Sequence, residues 1–378
     1  MYDHYDEYIS HLYDASTKLI KRDTSVCFFD CSNYYFEIES NDEDYIDPVT
    51  GEVTKGLRKY GVSKEHRPNP IVQMGLFMDK DGIPLSMCIS SGSNNEQTTA
   101  IPLEQKLITM FKGKKFIYCA DAGLGSLNIR NFNSMGGRAF IVTQSIKMLS
   151  NTLKEAVFSD IDYRLLSNDK PATIQQMKYF DRFDKVNAEL YDDRICKIIP
   201  ADKEFDLGLY EEKACKNSTV KKVKSKAVVP QKTIVSFSRK MMEYQRFIRN
   251  RQIERAKKLL TKLDPETYKK VKTDFSARPV FHQNRERIVA HFMVCYTALL
   301  IYRILENKLD MYVTHFTVEN VIETLNNMQV ANLEDVCYMS TYNNSQVLTS
   351  LNAIFNLELD KKYYQPKDLN KKIKKIST

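Results

Sequence analysis

Two hydrophobic segments that each carry one aspartate constrain this chain more than any other feature. Residues 28–32 contain Asp30, and residues 116–123 contain Asp121. Both segments are predicted strands, and two carboxylates far apart in sequence can hold a divalent cation between neighbouring strands. Two-ion sites of this kind activate water or a 3′-hydroxyl in phosphodiester chemistry. Taken alone, either aspartate is more simply explained as a strand-end or turn residue that accepts hydrogen bonds from nearby amides.

Composition is compatible with a partner that carries many negative charges. The chain has 378 residues, of which 43% are hydrophobic, a formal net charge of +8 and an isoelectric point near 8.8. This balance suits nucleic acid, although a uniformly basic, solvated surface gives the same totals. The eight cysteines form no C-x-x-C pair, which is typical of reduced thiols in a cytoplasmic protein. We find neither a signal peptide nor an apolar run of membrane length, so no membrane association is expected.

The order of predicted elements indicates an α/β (α+β) fold. Strands at 25–39, 71–78 and 83–90 are followed by a helix at 98–112, a strand at 115–120, a helix at 125–133 and a strand at 139–143. Three strands followed by alternating helices and strands are the layout of an RNase H-like mixed sheet flanked by helices. In that layout the first strand lies beside the fourth, so Asp30 and Asp121 would face each other.

The remainder of the chain divides by composition. We predict a helical segment at 1–24, the first part of the sheet domain at 25–149, a β-rich insertion with a basic helix at 150–262, further helices of the sheet domain at 263–312, and a helical region with a basic tail at 313–378. The basic helix covers 246–263, and a largely apolar helix covers 285–309. The basic helix could follow a phosphate backbone or be a solvated surface, and the sequence favours neither.

Several motifs in a fixed order resemble those of DDE transposases of bacterial insertion sequences, in the four-like group. These enzymes have an RNase H-like catalytic domain with a β-rich insertion. The resemblance covers roughly residues 25–310, here with the appearance of a truncated and internally deleted copy. The matching segments are 29–36, 56–68, 75–85, 92–96, 120–124, 272–280 and 286–292.

The resemblance implies a metal-dependent DNA transposase that cleaves transposon ends and transfers strands. Two Mg²⁺ or Mn²⁺ ions would be held by two aspartates and a later glutamate, and Asp30 and Asp121 match the two aspartates. The implied partner is double-stranded DNA, both transposon ends and target, with a homodimer possible in a synaptic complex. The residues expected to contact DNA are Arg246, Arg249, Arg255, Lys258, Lys262 and Lys272.

The third acidic residue departs from the family pattern, which is Tyr-x2-Arg-x3-Glu-x6-Lys. Counting back from Lys272 places Pro265 where the glutamate belongs, and the nearest acid is Glu266. We take Glu266 as the candidate third catalytic and metal-binding residue and expect a degenerate enzyme with little or no transposition. Two alternatives remain: a non-catalytic DNA-binding or dimerising relic, and another RNase H-like nuclease that acts on RNA–DNA hybrids.

Overall fold

The computed structural model describes residues 2–62, 68–200, 210–214, 220–224, 229, 231–261, 284–311, 316–334 and 336–376. Its helices are α1 (Tyr5–Leu19), α2 (Gln97–Met110), α3 (Leu127–Ser134), α4 (Asn151–Phe158), α5 (Ile174–Tyr179), α6 (Ala188–Asp192), α7 (Arg239–Thr261), α8 (Arg285–Asp310), α9 (Val318–Asn327), α10 (Gln346–Phe355) and α11 (Pro366–Ile376). Its strands are β1 (Val26–Tyr35), β2 (Tyr45–Ile46), β3 (Val53–Thr54), β4 (Ile71–Met78), β5 (Pro84–Ser91), β6 (Ile117–Ala120), β7 (Ala139–Val142), β8 (Arg164–Leu165), β9 (Ile195–Pro200), β10 (Tyr210–Ala214), β11 (Val220–Lys224), β12 (Lys232–Phe237), β13 (Val330–Leu333), β14 (Cys337–Ser340) and β15 (Tyr363–Tyr364).

A five-stranded mixed sheet is the largest sheet, with strand order β5-β4-β1-β6-β7. The predicted strands and the helices between them are found within a few residues of their expected positions. β1 and β6 are parallel neighbours, as are β6 and β7. The expectation that the first strand of the sheet lies beside the fourth is therefore confirmed, and the chain has a mixed α/β architecture.

Strand β1 occupies the middle of this sheet, and its side chains alternate between buried and more exposed positions. Cys27, Phe29 and Cys31 are buried, whereas Phe28 and Asp30 between them are exposed. The buried face is tightly packed, because a Cβ added at Gly75 would lie 3.1 Å from the Phe29 ring. The alternation assigns Asp30 to the face opposite the buried side chains.

The region after β7 contains a second, smaller sheet with strand order β12-β9-β8. β9 and β12, which pair antiparallel, lie within the predicted β-rich insertion at 150–262. The same range contains β10 and β11, which also pair antiparallel. Helix α7 starts at Arg239, before the predicted start at 246, because the Ser238 hydroxyl accepts a hydrogen bond from the Met241 amide and caps the helix earlier.

Contacts between Cα atoms divide the chain into two compact units. The first contains residues 1–24, 76–87 and 281–378, and the second contains residues 25–75 and 88–280. Both Asp30 and Asp121 belong to the second unit. The first unit contains the helix α8 and the N-terminal helix α1, which contact each other.

Helix α8 supplies apolar side chains to the core of the first unit. Its buried residues include Ile288, Phe292 and Met293, whereas Val294 and Ile301 are exposed, so one face of this largely apolar helix is exposed. By length and composition α8 could cross a membrane, in contrast to the expectation from sequence. Core helices of globular proteins pass the same test, and 39% of the most apolar part of α8 is buried.

A buried ion pair organises the first unit. Arg22 Nε donates to Asp79 Oδ2 at 2.6 Å, and the two side chains are 2% and 0% exposed. Arg22 also donates to the Ser16 hydroxyl and to the Ile83 carbonyl, while Asp79 accepts the amides of Asp81 and Ile83. Burial raises the pKa of Asp79, and the Arg22 charge and these hydrogen bonds oppose that shift. The Arg22 guanidinium therefore stabilises the charged form of Asp79 in the interior.

Substitution Arg22→Ala should destabilise the protein by about 3–5 kcal/mol, because it leaves the Asp79 carboxylate buried without a counter-ion. Lys80→Ala provides a matched control, since the Lys80–Asp23 pair is 3.2 Å long and both side chains are substantially exposed. The control should cost less than about 1 kcal/mol. Urea unfolding of the three proteins measures both differences, and equal losses for the two variants would contradict the role of the buried pair.

A second buried carboxyl group lies between α2 and α3 in the second unit. Glu104 is fully buried and accepts a hydrogen bond from Asn133 Nδ2 at 2.9 Å through Oε2, while its Oε1 atom has no hydrogen-bond partner among the residues that the structure describes. Burial raises the pKa of Glu104 to about 7, and the Asn133 hydrogen bond and the Arg138 charge oppose the shift only in part. The folded protein therefore favours the protonated form of Glu104.

Glu104 should make stability depend on pH between about 4.5 and 7. Because the folded-state pKa lies above the ordinary value of 4.5, the stabilisation is complete below pH 4.5 and is lost as the pH rises through 7. Glu104→Gln should remove this dependence and stabilise the protein at pH 8 by about 3 kcal/mol, at about 1.4 kcal/mol per pKa unit.

Thermal unfolding of wild type, Glu104→Gln and Glu155→Gln between pH 4.5 and 8 measures this effect. Glu155 lies on the exposed side of α4, so its variant should retain the wild-type pH profile. A Glu104→Gln profile parallel to that of wild type would show that the Glu104 carboxyl does not titrate in this range.

Candidate functional site

The parallel register between β1 and β6 brings the two predicted aspartates to neighbouring positions. Phe28 pairs with Cys119 and Phe29 pairs with Ala120, so the next positions on the two strands are Asp30 and Asp121. Adjacent strands of a sheet lie about 4.8 Å apart. The carboxylates therefore originate from adjoining backbone positions, although 91 positions separate them in the sequence.

Both aspartates are exposed, and continuing the β1–β6 register by one residue beyond Phe29 and Ala120 assigns them to the same face of the sheet. Asp30 alternates with the buried Phe29 and Cys31, and the Asp121 backbone remains extended at φ −74° and ψ 179°. Phe29 and Tyr118 lie on the opposite, buried face, where their ring centroids are 6.2 Å apart. In-register residues on adjacent parallel strands direct their side chains to the same side.

The Asp121 carboxylate also caps a turn. Its Oδ1 atom accepts the amides of Gly123 at 2.9 Å and Leu124 at 3.2 Å, at the start of the 3-10 turn Ala122–Leu124. Asp30 Oδ1 accepts the amide of the next residue, Cys31, at 2.8 Å. The simpler explanation for each aspartate, a local hydrogen bond to backbone, is thus present in the structure. For Asp121 it uses one of the two oxygens, and no donor in the described part of the chain bonds Oδ2.

The thiol next to Asp30 is unsuited to metal binding. Cys31 is buried on the opposite face, with its Sγ atom 3.8 Å from the Thr99 hydroxyl. Burial raises the pKa of Cys31 to about 12. The Thr99 hydrogen bond opposes this shift, and the negative charges of Glu96 and Asp30 add to it. The neutral thiol has little nucleophilicity or affinity for a cation.

Two carboxylates fit one magnesium or manganese ion better than a complete two-ion centre. Within the described ranges, no group of three or more His, Cys, Asp or Glu side chains is arranged to hold a metal ion. Mg²⁺ is commonly held by one or two carboxylates, with water and substrate phosphate completing its oxygen ligands. Asp30 and Asp121 provide this number and type of ligand on an exposed surface, where a phosphate could also reach the ion.

The third predicted ligand lies outside the described residues. Glu266 is in the range 262–283, together with the predicted DNA contacts Lys262 and Lys272. Lys258 belongs to α7, but its side chain is also outside the description. The roles of these four residues remain predictions.

The three described DNA-binding candidates lie on α7 but do not share one face. Arg246, Arg249 and Arg255 are all exposed. At about 100° per residue, Arg246 and Arg249 are about 60° apart around the helix axis, whereas Arg255 is about 180° from Arg246. A single phosphate backbone that follows the helix can therefore contact Arg246 and Arg249 together, while Arg255 faces the other side.

The first turn of α7 is anchored by ionic contacts within the second unit. Glu243 accepts hydrogen bonds from Arg239 at 2.6 Å, from Arg182 at 2.5 Å and from the Tyr191 hydroxyl at 3.1 Å. The Arg239 hydrogen bond is the largest of the contributions that lower the pKa of Glu243. The first turn of α7 is therefore fixed in position by the contacts of Glu243. After Tyr244 the helix carries the exposed side chains of Arg246, Arg249 and Arg255.

A shallow cavity of about 520 Å³ lies in the region of the smaller sheet. Its lining includes Leu165, Met177, Phe180 and Leu190, and it contains no charged side chain. Neither Asp30 nor Asp121 belongs to this lining.

Comparison of the chain with protein-family models, with curated proteins and with solved structures finds no match in any of the three.

One residue near the site was not predicted from the sequence. The side chain of Gln97 donates from Nε2 to the Gly123 carbonyl at 2.6 Å, in the turn that follows Asp121. The segment 92–96 is one of the motifs that resemble the transposase family, and it ends directly before Gln97. In the sequence, Gln97 is marked by its position directly before the predicted helix at 98–112. Its hydrogen bond to a turn 26 residues later forms only when the sheet has folded.

Proposed function

We propose that this chain is a DNA transposase of the DDE type with an RNase H-like domain, degenerate in its third acidic ligand. In this proposal Asp30 and Asp121 bind a divalent cation, Mg²⁺ or Mn²⁺, and the basic helix α7 contacts the DNA backbone. The carboxylate pair is the part of the family site that the described residues support. The complete sequence of end cleavage and strand transfer would need a third ligand.

The adjacent positions of Asp30 and Asp121 on parallel strands are the observation that carries the proposal. The sheet order, with the first long strand between the second and the fourth, supports the RNase H-like layout expected from the sequence. Two functionally unrelated aspartates would have no reason to be at adjoining positions of neighbouring strands and both exposed. Together these features favour a shared cation over two independent turn aspartates.

The chemistry follows from the charges of the carboxylates. A bound cation would polarise a phosphate oxygen and lower the pKa of coordinated water. The two carboxylates would fix the cation at an exposed position between β1 and β6, and the amides of Gly123 and Leu124 would hold one oxygen of Asp121 in place. Arg246 and Arg249 would contribute positive charge for the DNA backbone.

The loss of a third ligand should leave weak activity. Pro265 stands where the family pattern has glutamate, and Glu266 is one position away. Removing a catalytic group typically costs several kcal/mol of transition-state stabilisation, roughly three or more decades in rate. A protein that binds metal and DNA but does not cleave DNA would correspond to the first alternative, a non-catalytic DNA-binding or dimerising relic. Such a relic could interfere with an active copy of the transposase by forming mixed synaptic complexes with it.

The wild-type protein should bind about one Mn²⁺ ion per chain, and Asp30→Asn or Asp121→Asn should each weaken that affinity by at least about tenfold, because one ionised ligand is lost. Electron paramagnetic resonance of free Mn²⁺ during titration measures the affinity. Asp14→Asn is the matched control, since Asp14 is an exposed aspartate on α1. Binding that survives both site substitutions would exclude the pair as the metal centre.

Cleavage separates the degenerate enzyme from its alternatives. Purified protein is incubated with Mn²⁺ and duplexes taken from the DNA that flanks its own coding sequence, and in parallel with an RNA–DNA hybrid. We expect at most slow nicking of the duplex that depends on Asp30. Robust end cleavage abolished by Asp30→Ala would show an intact rather than degenerate enzyme, hybrid degradation would favour the other nuclease class, and no cleavage would favour the relic.

Reversing the charge of Arg246 and Arg249 together should weaken DNA binding and reduce the salt dependence, because each lost phosphate contact lowers the slope of log affinity against log salt by about one. Fluorescence anisotropy with a labelled duplex at several salt concentrations measures the slope. Lys112→Glu with Lys114→Glu is the control, because these exposed lysines precede β6, at the opposite end of that strand from Asp121. An equal change of slope in both double variants would assign the effect to net charge alone.

A further inference from the structure

The turn after Asp121 is held by side chains from three different elements. The carbonyls of three consecutive residues, 123–125, accept hydrogen bonds from Gln97 of α2 at 2.6 Å, from Tyr118 of β6 at 3.2 Å and from Arg130 of α3 at 2.8 Å. Tyr118 and Arg130 are buried, whereas Gln97 is half-buried. Gln97 is therefore the member of this set that can be replaced without opening the core.

The turn and the Asp121 carboxylate are linked by backbone. The backbone carbonyl of Gly123 accepts a hydrogen bond from the side-chain amide of Gln97. The backbone amide of Gly123 in turn donates a hydrogen bond to Asp121 Oδ1 at 2.9 Å. Movement of Gly123 would therefore change the direction in which the Asp121 carboxylate points. The neutral Gln97 amide acts through position and adds no charge to the site.

The start of α2 is itself fixed to the sheet. The Glu96 carbonyl accepts hydrogen bonds from the Thr99 hydroxyl at 2.8 Å and from Cys31 Sγ at 3.9 Å, and Cys31 directly follows Asp30. Buried Gln73 donates to the Asn94 carbonyl at 2.9 Å. The same helix start thus contacts the residue after Asp30 and, through Gln97, the turn after Asp121.

We propose that Gln97 is a positioning residue for the Asp121 carboxylate, holding the turn 122–124 so that this carboxylate and Asp30 can share one cation. The inference rests on the proposed metal site and deepens it. Removing a group that orients a metal ligand typically weakens the metal affinity by about ten- to one-hundredfold. Gln97 would act in this way without contacting the cation.

The test measures Mn²⁺ affinity of the full chain for wild type, Gln97→Ala, Gln97→Glu and Gln105→Ala. Gln97→Ala should weaken binding about tenfold or more. Gln97→Glu keeps the length of the side chain but replaces the hydrogen-bond donor with a carboxylate that faces the Gly123 carbonyl. Its Mn²⁺ affinity should therefore stay below that of wild type, despite the added negative charge. Gln105 is exposed on the same helix, and its alanine variant should bind as wild type does.

A second measurement needs no metal. Amide hydrogen exchange of Gly123 and Leu124 in the metal-free protein should become faster in Gln97→Ala and remain unchanged in Gln105→Ala, because the turn loses a restraint. Wild-type affinity and unchanged exchange in Gln97→Ala would overturn the positioning role while leaving the metal site intact. Wild-type protein that binds no Mn²⁺ through Asp30 and Asp121 would instead overturn the proposed function, and this role with it.

Discussion

The parallel register of β1 and β6 is the constraint on which the rest of the site depends. It fixes which residue of one strand adjoins which residue of the other, and a shift by one position would turn one carboxylate toward the core. The turn after Asp121, the start of α2 and the packing of Phe29 beside Tyr118 all take their positions from this pairing. Because the two strands are far apart in sequence, the pairing forms only when the sheet does.

Three aspartates in or directly after strands of the main sheet illustrate how environment separates similar sequence signals. Asp79 follows β4 and is buried against Arg22, so its charge is balanced within the protein. Asp30 and Asp121 are exposed, and the Oδ1 atom of each accepts a backbone amide. The first is part of the internal framework, whereas the other two can interact with ligands from solvent. Turn chemistry alone would have grouped all three.

Periodicity predicted the elements of the sheet well, because alternation in β1 and the apolar runs of β4 and β5 are local properties of the chain. The proximity of Asp30 and Asp121 could also be predicted from the sequence, since few sheet topologies fit that order of strands and helices. The Gln97 contact was not, because an amide side chain has no preferred partner until two distant segments meet. The start of α7 was misplaced because Ser238 caps the helix before its basic residues begin.

The alternation in β1 has a consequence for how such a chain can change over generations. Asp30 faces outward and Cys31 inward, so substitutions at either position act locally. Insertion or loss of a single codon within the strand would exchange the environments of every later side chain, placing a carboxylate in the interior and a thiol in solvent. Insertions and deletions are therefore far less tolerable within β1 than in the loops that connect the strands and helices of the sheet.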